Sequence, residues 1–235
     1  MAPVALITGA SRGLGRTLAR ELAQRGWKLI IDARGVTALE AAHRALAAQT
    51  QVVAIAGDIT DPAHRAALVQ AAHALGGIDA LIHNASELGP SPRPALRHFA
   101  PPAFEHVLNT NVVAPLALTQ ALWPELAPAA RIIAVSSDAA VEPYAGWGGY
   151  GASKAALEQM FAILAAEHPD HRIYVVDPGD MQTQMHQDAF PGEDISDRPL
   201  PEASVPGFMA LLDGAFPSGR YQACAVGIAP AEAQR

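Results

Sequence analysis

The amino-acid sequence predicts a single α/β domain over residues 1–235, built on a doubly wound, mostly parallel sheet of seven strands with helices on both faces. Short, continuous apolar runs alternate with longer amphipathic stretches, as expected for parallel strands that are buried on both faces and joined by helical crossovers. Half of the residues are hydrophobic and 17% are charged, which is typical of a compact globular chain. A length of 235 residues is ordinary for one such domain.

Seven apolar runs mark the predicted strands, and the first six are followed by loops or helical patterns. The strands are expected at residues 3–8, 28–33, 51–56, 79–83, 131–136, 172–177 and 220–226. Between them, the sequence Thr60-Asp61-Pro62 is typical of a helix start, since it supplies capping side chains and a proline for the first turn. A further helix is predicted from about Pro102 to near Pro124.

Residues 179–219 interrupt this alternation. The stretch is rich in proline, glycine and acidic residues and is too long for a simple connection, which predicts a substrate loop or lid. Its acids between 188 and 197 disfavour an anionic substrate, although Arg198 can offset them. The apolar side chains that either line a substrate pocket or belong to the core are Leu88, Trp147, Met181, Met185 and Phe208.

The charge, the cysteine content and the hydropathy indicate which partners and which compartment to expect. A net charge of −7 leaves no basic stripe for a nucleic-acid backbone or an anionic membrane, so neither is expected to bind. A single cysteine, Cys224, cannot form an internal disulfide and fits a reducing compartment. Residues 1–10 lack the charged segment that opens a signal peptide, and no run reaches the roughly 18 apolar residues of a membrane span. We therefore expect a cytoplasmic protein.

Nine histidines raise the question of a metal site. The sequence contains neither an H-E-x-x-H motif nor a cluster of cysteine and histidine at ligand spacing. The His-Pro-Asp-His stretch at 168–171 is typical of a solvated turn. No bound metal is predicted.

A glycine-rich turn follows the first predicted strand at once. The stretch T-G-A-S-R-G-L-G places Gly9, Gly13 and Gly15 before a helical pattern. Glycines let the backbone turn tightly and approach a ligand, and a helix N-terminus presents free N–H groups and a positive dipole end to a pyrophosphate. A pyrophosphate-binding site is therefore predicted, with a ligand-free turn between strand and helix as the alternative.

The glycine spacing, G-x-x-x-G-x-G, resembles that of the short-chain dehydrogenase/reductase family. The resemblance extends over nearly the whole chain and implies a Rossmann-like fold that binds NAD(H) or NADP(H), a small-molecule substrate, and a homodimer or homotetramer. By this resemblance, the cofactor-binding residues in the first half of the chain are Gly9, Ser11, Arg12, Gly13, Leu14, Gly15, Arg34, Asp58, Ile59, Asn84 and Ala85. For Asp58, capping of its own turn is an equally good interpretation.

The choice between the two dinucleotides depends on the end of the second predicted strand. In the family, an acid there binds the adenosine ribose, whereas basic groups accept a 2′-phosphate. Ala33 stands where the family has its acid. The guanidinium groups of Arg34 and Arg12 can both bind the 2′-phosphate. Asp32 lies one residue away and would be the ribose ligand if the alignment were shifted by one. NADP(H) is favoured, and NAD(H) is the alternative.

Tyr150 and Lys154 are four residues apart in a helical pattern, which places both side chains on one face. A tyrosine with a pKa near 10 is a poor base at neutral pH, but a nearby ammonium favours the phenolate and is expected to lower that pKa toward the range useful for proton transfer. Lys154 is one of only two lysines in the chain, and its compact ammonium can reach both the phenol and a ligand hydroxyl. Such pairs also occur by chance on solvated helices, so a catalytic role needs support from further residues.

Ser137 stands thirteen residues before Tyr150, at the end of a predicted strand, where ligands lie in open α/β sheets. Its hydroxyl can polarise a substrate carbonyl. The alternative is that Ser137 only forms or caps a turn. Ser136 is a second candidate for the catalytic role. The family spacing selects Ser137, and Asn111 completes the resemblance to the family's Asn-Ser-Tyr-Lys tetrad. If the segment is helical, Pro115 has no N–H for the carbonyl of Asn111, which leaves that carbonyl free for the water of the family's proton relay; a mere kink is the alternative.

The stretch D-P-G-D-M-Q-T at 177–183 resembles a further segment of the family. By resemblance, the cofactor-binding residues in the second half of the chain are Tyr150, Lys154, Pro178, Gly179, Met181 and Thr183. The stretch H-N-A-S at 83–86 departs from the family's usual N-N-A-G and places Ser86 at the glycine. This departure is expected to shift a loop near the cofactor ribose without abolishing binding.

Together these patterns predict an NADP(H)-dependent oxidoreductase that interconverts a carbonyl and an alcohol by hydride transfer, with Tyr150 as general acid or base. The alternative from another class is a regulatory protein that senses NAD(P) without turning it over, against which the complete tetrad argues. A sugar-nucleotide epimerase or dehydratase shares the Tyr-x-x-x-Lys pair but would need a longer C-terminal half.

Overall fold

Seven strands form one sheet in which every neighbouring pair is parallel. A computed structural model describes residues 2–227 of the chain. The strands are β1 (Val4–Ile7), β2 (Lys28–Ala33), β3 (Val52–Ala56), β4 (Ile78–His83), β5 (Leu126–Val135), β6 (Arg172–Asp177) and β7 (Gly219–Gln222). Their order across the sheet is β3-β2-β1-β4-β5-β6-β7, which confirms the predicted doubly wound, Rossmann-like α/β fold.

Helices cover both faces of the sheet. Within residues 2–227 the α-helices are α1 (Gly13–Gln24), α2 (Val36–Ala47), α3 (Pro62–Leu75), α4 (Pro101–Leu108), α5 (Ala114–Leu122), α6 (Gly148–Glu167), α7 (Gln184–Ala189) and α8 (Val205–Asp213). Alternate residues of β1 serve two cores: Ala5 and Ile7 pack with α1, α2 and α8, and Val4 and Leu6 pack with α3, α5 and α6. None of these helices is long and apolar enough to cross a membrane.

The strand order reverses between β1 and β4. From β1 the chain builds outward through β2 and β3, and then returns to place β4 on the other side of β1. Crossovers on the two sides of such a point lie on opposite faces, which opens a crevice at the carboxyl ends of the strands. Thr8 and Asn84 directly follow the two strands, and the Asn84 N–H donates to Thr8 Oγ1 at 3.0 Å. This bond closes the floor of the crevice.

The helix predicted at 102–124 is present, but it contains a π-helical turn at Asn109–Val113, between α4 and α5. In this wide turn the N–H of Ala114 donates to the carbonyl of Asn109, five residues back. The next residue, Pro115, has no N–H to donate, so the regular helical bonding cannot continue through it. Turns of this kind are frequent at functional sites.

The stretch 179–219 is less irregular than predicted, because it contains α7 and α8. Phe208 of α8 is fully buried in the core on the α1 side of the sheet, which excludes it from the predicted pocket wall. The predicted strand at 220–226 is also wrong beyond Gln222, where a 3-10 turn begins. Ala223 in that turn is buried, with its carbonyl oxygen against Gly207 of α8, so packing on α8 ends the strand.

Candidate active site

A cleft of about 1170 Å³ lies along the carboxyl edge of the sheet. Ordinary small-molecule sites have roughly 300–1,000 Å³, so this cleft has room for an extended ligand together with a second small molecule. The predicted site residues in its wall are Gly9, Ser11, Arg12, Gly13, Leu14, Arg34, Asp58, Ile59, Asn84, Ala85, Ser137, Tyr150, Lys154, Pro178, Gly179, Met181 and Thr183. Gly15 and Asn111 lie behind the wall and act on it through their neighbours.

Asn84 holds the glycine-rich turn between β1 and α1. Its side-chain amide donates to the carbonyl oxygens of Thr8 at 2.9 Å and Gly9 at 3.1 Å. Thr8 Oγ1 in turn accepts from the N–H groups of Asn84 and Ala85. A Cβ on Gly15 would lie 2.7 Å from the Gly9 carbonyl oxygen, so α1 can begin this close to the turn only because residue 15 is glycine.

The first turn of α1 is open to an anion. Gly9 and Gly13 have φ angles of 68° and 54°, in the left-handed region that glycine adopts without strain. Arg12 precedes the helix with extended backbone, and no side chain in the described part of the chain caps the free N–H groups of this turn. These N–H groups and the positive end of the helix dipole are free to receive an anion, and they lie where the sequence predicts the pyrophosphate.

Asp32 faces into the protein. Its Oδ1 accepts from the N–H of Gly9 at 2.7 Å, its Oδ2 bonds to Nε2 of His64 at 2.9 Å, and the residue is 2% exposed. Because both oxygens are engaged, the geometry does not favour the alternative of a ribose ligand. Asp32 instead supports the glycine turn from below. No local pattern predicts His64 as its partner, since the two residues are 32 positions apart.

Arg34 and Arg12 both line the cleft. Arg34 Nη2 pairs with Oε2 of Glu87 at 3.1 Å, and the two side chains are 58% and 22% exposed. An ion pair this open to water contributes little free energy, so a phosphate group can take the place of the carboxylate at low cost.

Asp58 caps its own turn, as the alternative to cofactor binding predicted. Its Oδ1 accepts from the backbone N–H of Thr60 at 2.9 Å and from the Thr60 hydroxyl at 2.7 Å. The turn that these bonds stabilise remains part of the cleft wall, together with Ile59.

Tyr150 and Lys154 lie on one face of α6 and line the cleft together. The Lys154 Nζ is 5.4 Å from the centre of the Tyr150 ring and donates to the backbone carbonyl of Val135 at 2.7 Å. Burial lowers the pKa of Lys154 to about 8, and the negative charge of Glu158 opposes this decrease. An amine with such a pKa can release and regain a proton near neutral pH.

The phenol of Tyr150 does not show the predicted decrease in pKa. Burial raises its pKa, and the hydroxyl groups of Ser137 and Ser86 oppose this increase. The negative charges of Asp138 and Asp177 raise the pKa further. The prediction that the neighbouring ammonium lowers the pKa of this phenol is therefore wrong, because burial disfavours the phenolate more than the two hydroxyl groups favour it. Tyr150 is held in its protonated form at neutral pH.

The two adjacent serines have different partners. Ser136 also lines the cleft, but it is buried and its hydroxyl is engaged, because it donates to Oε1 of Glu158 at 2.6 Å. Ser137 begins a 3-10 turn, where its Oγ accepts from the N–H of Ala139 at 3.2 Å and donates to Oδ1 of Asp138 at 2.9 Å. Ser137 thus combines the predicted position in the cleft with the capping contact that was its alternative.

Asn111 connects the elements around the cleft. Its side chain is buried, accepts from the N–H of Glu87 at 2.7 Å, and donates to Ser153 Oγ and to the Glu87 carbonyl, both at 2.9 Å. Ser86 Oγ also donates to Asn111 Oδ1 at 3.2 Å. The serine that replaces the family's usual glycine is therefore part of a cluster that ties the loop after β4 to α6.

The other end of the cleft is apolar and aromatic. Four of the five apolar candidates line it, namely Leu88, Trp147, Met181 and Met185. The ring of Trp147 lies edge-on to that of Tyr150, with centres 5.7 Å apart. The guanidinium of Arg93 stacks on Trp147 at 3.9 Å and lies 4.7 Å from the Phe190 ring, a cation–π contact that the sequence does not predict. This stacking fixes the aromatic wall.

The histidines form no recognisable metal site. Within residues 2–227, no group of three or more histidine, cysteine, aspartate or glutamate side chains is placed to hold an ion. His168 and His171 stack on Trp123, with ring centres 4.4 and 4.9 Å apart, so the predicted solvated turn is partly packed.

Comparison with known families agrees with the fold. The family model described as short chain dehydrogenase matches residues 3–194. The chain belongs to the short-chain dehydrogenase family. Among its relatives, a sepiapterin reductase from Xenopus laevis is 35% identical over 196 residues, which cover 77% of this chain and 74% of that protein. A benzil reductase ((S)-benzoin forming) from Saccharomyces cerevisiae is 33% identical over 198 residues, which cover 80% and 75% of the two proteins.

A solved structure shares the architecture of this short-chain dehydrogenase over most of its length. A protein from Shigella flexneri, assigned to the short chain dehydrogenases and solved in complex with NADP, superposes with a TM-score of 0.86 at 29% identity. The superposition covers 94% of this chain and 96% of that one. As a member of the family, the chain is an NAD(P)-dependent oxidoreductase.

The close contact at the start of α1 makes Gly15 a sensitive position. Gly15→Ala places a methyl group against the Gly9 carbonyl and the Asn84 amide, so we expect the free energy of unfolding to fall by about 1–3 kcal/mol. Gly35→Ala is the control, because a Cβ there meets nothing within 4 Å. Urea denaturation of both variants checks the prediction, and equal midpoints for Gly15→Ala and wild type would refute it.

Proposed function

We propose that this short-chain dehydrogenase reduces a carbonyl compound to an alcohol with NADPH, or oxidises the alcohol in the reverse direction. The observation that carries the proposal is the buried pair of Tyr150 and Lys154, which shares the cleft with Ser137. Such a group of side chains suits proton transfer to an oxygen atom in a site shielded from water. A protein that only senses the cofactor has no use for it.

The residues of this chain would divide the reaction as follows. Tyr150 donates its phenolic proton to the carbonyl oxygen, so that the O–H bond of the alcohol forms as the O–H bond of the phenol breaks. The ammonium of Lys154 stabilises the phenolate left behind, and its remaining N–H donors can hold a ribose hydroxyl. When bound, the cofactor supplies the hydride.

Three observations support NADP(H) as the cofactor. The open first turn of α1 fits a pyrophosphate, and the exposed guanidinium of Arg34 can join that of Arg12 on a 2′-phosphate. Asp32, which would bind a ribose in an NAD(H) site, points into the protein. The NADP in the Shigella flexneri relative agrees with this choice.

A proton relay behind Lys154 is part of the proposal. Pro115 withholds the N–H that would otherwise bond to the backbone carbonyl of Asn111 in a regular helix. A water on this carbonyl would connect Lys154 to solvent and return the proton that Tyr150 gives up. The lowered pKa of Lys154 suits an amine that passes on a proton.

The aromatic end of the cleft favours a flat, apolar carbonyl substrate. Trp147 and Phe190 present rings at this end, and Leu88 and Met185 add apolar surface. The names of the sepiapterin and benzil reductases suggest sepiapterin and benzil as the first substrates to try. We further propose a cytoplasmic homodimer or homotetramer, in keeping with the single cysteine and with the family resemblance.

The role of Tyr150 predicts a large loss of rate when its hydroxyl is removed. Tyr150→Phe should lower kcat for ketone reduction by about 10²–10⁴-fold with little change in cofactor affinity, because only the proton donor is lost. Tyr221→Phe is the matched control, since its hydroxyl bonds to the Pro217 carbonyl outside the cleft. Turnover of benzil or a related diketone with NADPH measures both variants. Turnover by Tyr150→Phe at the wild-type rate would remove Tyr150 from this role.

The cofactor assignment predicts a selective effect at Arg34. Arg34→Ala should raise the KM for NADPH about 10–100-fold and leave that for NADH nearly unchanged, because a charged hydrogen bond to the 2′-phosphate is lost. Glu87→Gln should lower the KM for NADPH, since it releases Arg34 from its ion pair. Arg44→Ala, which removes an exposed guanidinium from α2, is the control. Equal changes for both cofactors in Arg34→Ala would count against a 2′-phosphate contact.

A further inference from the structure

His64, in the first turn of α3, contacts Asp32 beneath the glycine-rich turn. Its Nε2 lies 2.9 Å from Oδ2 of Asp32, and the two side chains are 4% and 2% exposed. A carboxylate has no hydrogen to donate, so Nε2 must carry the hydrogen of this bond. Among residues 2–227, no lysine or arginine forms a salt bridge with Asp32, so His64 is the basic partner of a buried carboxylate.

The fold makes room for this imidazole at Gly57, which follows β3 and lines the cleft. A Cβ at Gly57 would collide with the His64 ring, so the loop after β3 can approach α3 this closely only with glycine there. Strand alternation directs Asp32 to the same face, because Ile30, two residues earlier in β2, packs in the core that contains α3. Two elements that are distant in sequence therefore bring the pair together.

Asp32 connects His64 to the glycine-rich turn. Its Oδ1 accepts from the N–H of Gly9 at 2.7 Å, and its backbone carbonyl accepts from the N–H of Ala10 at 2.9 Å. These two successive amides belong to the turn that precedes α1, whose free N–H groups would bind the pyrophosphate. The contacts thus run from α3 through the end of β2 to the residues that determine where α1 begins.

Loss of the His64 N–H would leave Asp32 with an unpaired, buried oxygen. Such an atom costs free energy, and the cost is larger for a charged group than for a neutral one. Asp32 also lines the cleft, so rotation of its side chain toward the cleft can return the carboxylate to water. That rotation would release the Gly9 amide and place a negative charge beside the pyrophosphate site. Both changes weaken the binding of a dinucleotide.

We propose that His64 is a positioning residue for the dinucleotide: by holding Oδ2 of Asp32, it keeps Gly9 and the start of α1 in the geometry that receives the pyrophosphate. The proposal rests on the cofactor site of the proposed function, but not on the role of Tyr150. NADPH and NADH share the pyrophosphate, so His64 acts on both cofactors alike, in contrast to Arg34.

A matched pair of variants tests the His64 N–H. In His64→Gln the amide nitrogen can take the place of Nε2, whereas in His64→Asn the same group is too short to reach Asp32. Equilibrium binding of NADPH and NADH, followed by the fluorescence of the reduced nicotinamide, needs no turnover. Both dissociation constants should rise about 10-fold or more in His64→Asn and stay within about threefold of wild type in His64→Gln.

Two controls separate this role from a general loss of stability. Leu68→Val removes a methylene group from the buried core face of α3, and it should lower the midpoint of urea denaturation without changing the NADPH dissociation constant. His73→Asn changes an exposed histidine near the other end of α3 and should leave that constant unchanged. Hydrogen exchange of the peptide that contains Gly9 should be faster than in wild type in His64→Asn, but not in Leu68→Val.

Two results would overturn the role of His64: wild-type affinity for NADPH in His64→Asn, or an equal loss of affinity in His64→Asn and His64→Gln. Should His64→Asn fail to fold, His64→Met, which fills the space without an N–H, takes its place with the same expected result. Full activity of Tyr150→Phe would instead overturn the proposed function, whatever the binding measurements show.

Discussion

A buried ammonium group is the constraint on which the site depends. Lys154 is 2% exposed, and the Val135 carbonyl accepts one of its three N–H donors at 2.7 Å. Burial of a charged amine without full pairing costs free energy, which the lowered pKa of Lys154 reflects. The two remaining donors are open to groups in the cleft that Lys154 lines. The fold thus maintains a costly group at the point where the phenol of Tyr150 and a bound ligand would meet.

A polar network beside the cleft ties neighbouring strands to α6, the helix that carries Lys154. Glu158, one turn further along α6, accepts from Ser136 at the end of β5 and from Arg220 of β7. Arg220 also reaches Asp177 at the end of β6 at 3.4 Å. The ends of three neighbouring strands are therefore tied to the helix that carries the ammonium. A displacement of any of them would move Lys154 relative to the cleft.

Local patterns in the sequence were sufficient for the first six strands, the glycine turn and the common face of Tyr150 and Lys154, because each depends on residues close together in the chain. The last strand ends earlier than its apolar pattern predicts, because Ala223 packs against Gly207 of α8. Contacts between distant residues were not predictable in this way. Asp32 could be read as a ribose ligand because its partner His64 lies 32 positions further on. The pKa of Tyr150 was predicted in the wrong direction for a related reason, since desolvation depends on everything packed around the phenol.

The chain contains only two lysines, which makes the central claim directly measurable. Nitrogen-15 NMR of the side-chain amines resolves Lys154 from Lys28, and Lys28→Met assigns the two signals. A buried ammonium bonded to Val135 should titrate near pH 8. Titration of the Lys154 signal near the ordinary lysine value of about 10.4 would place the amine in water and contradict the account.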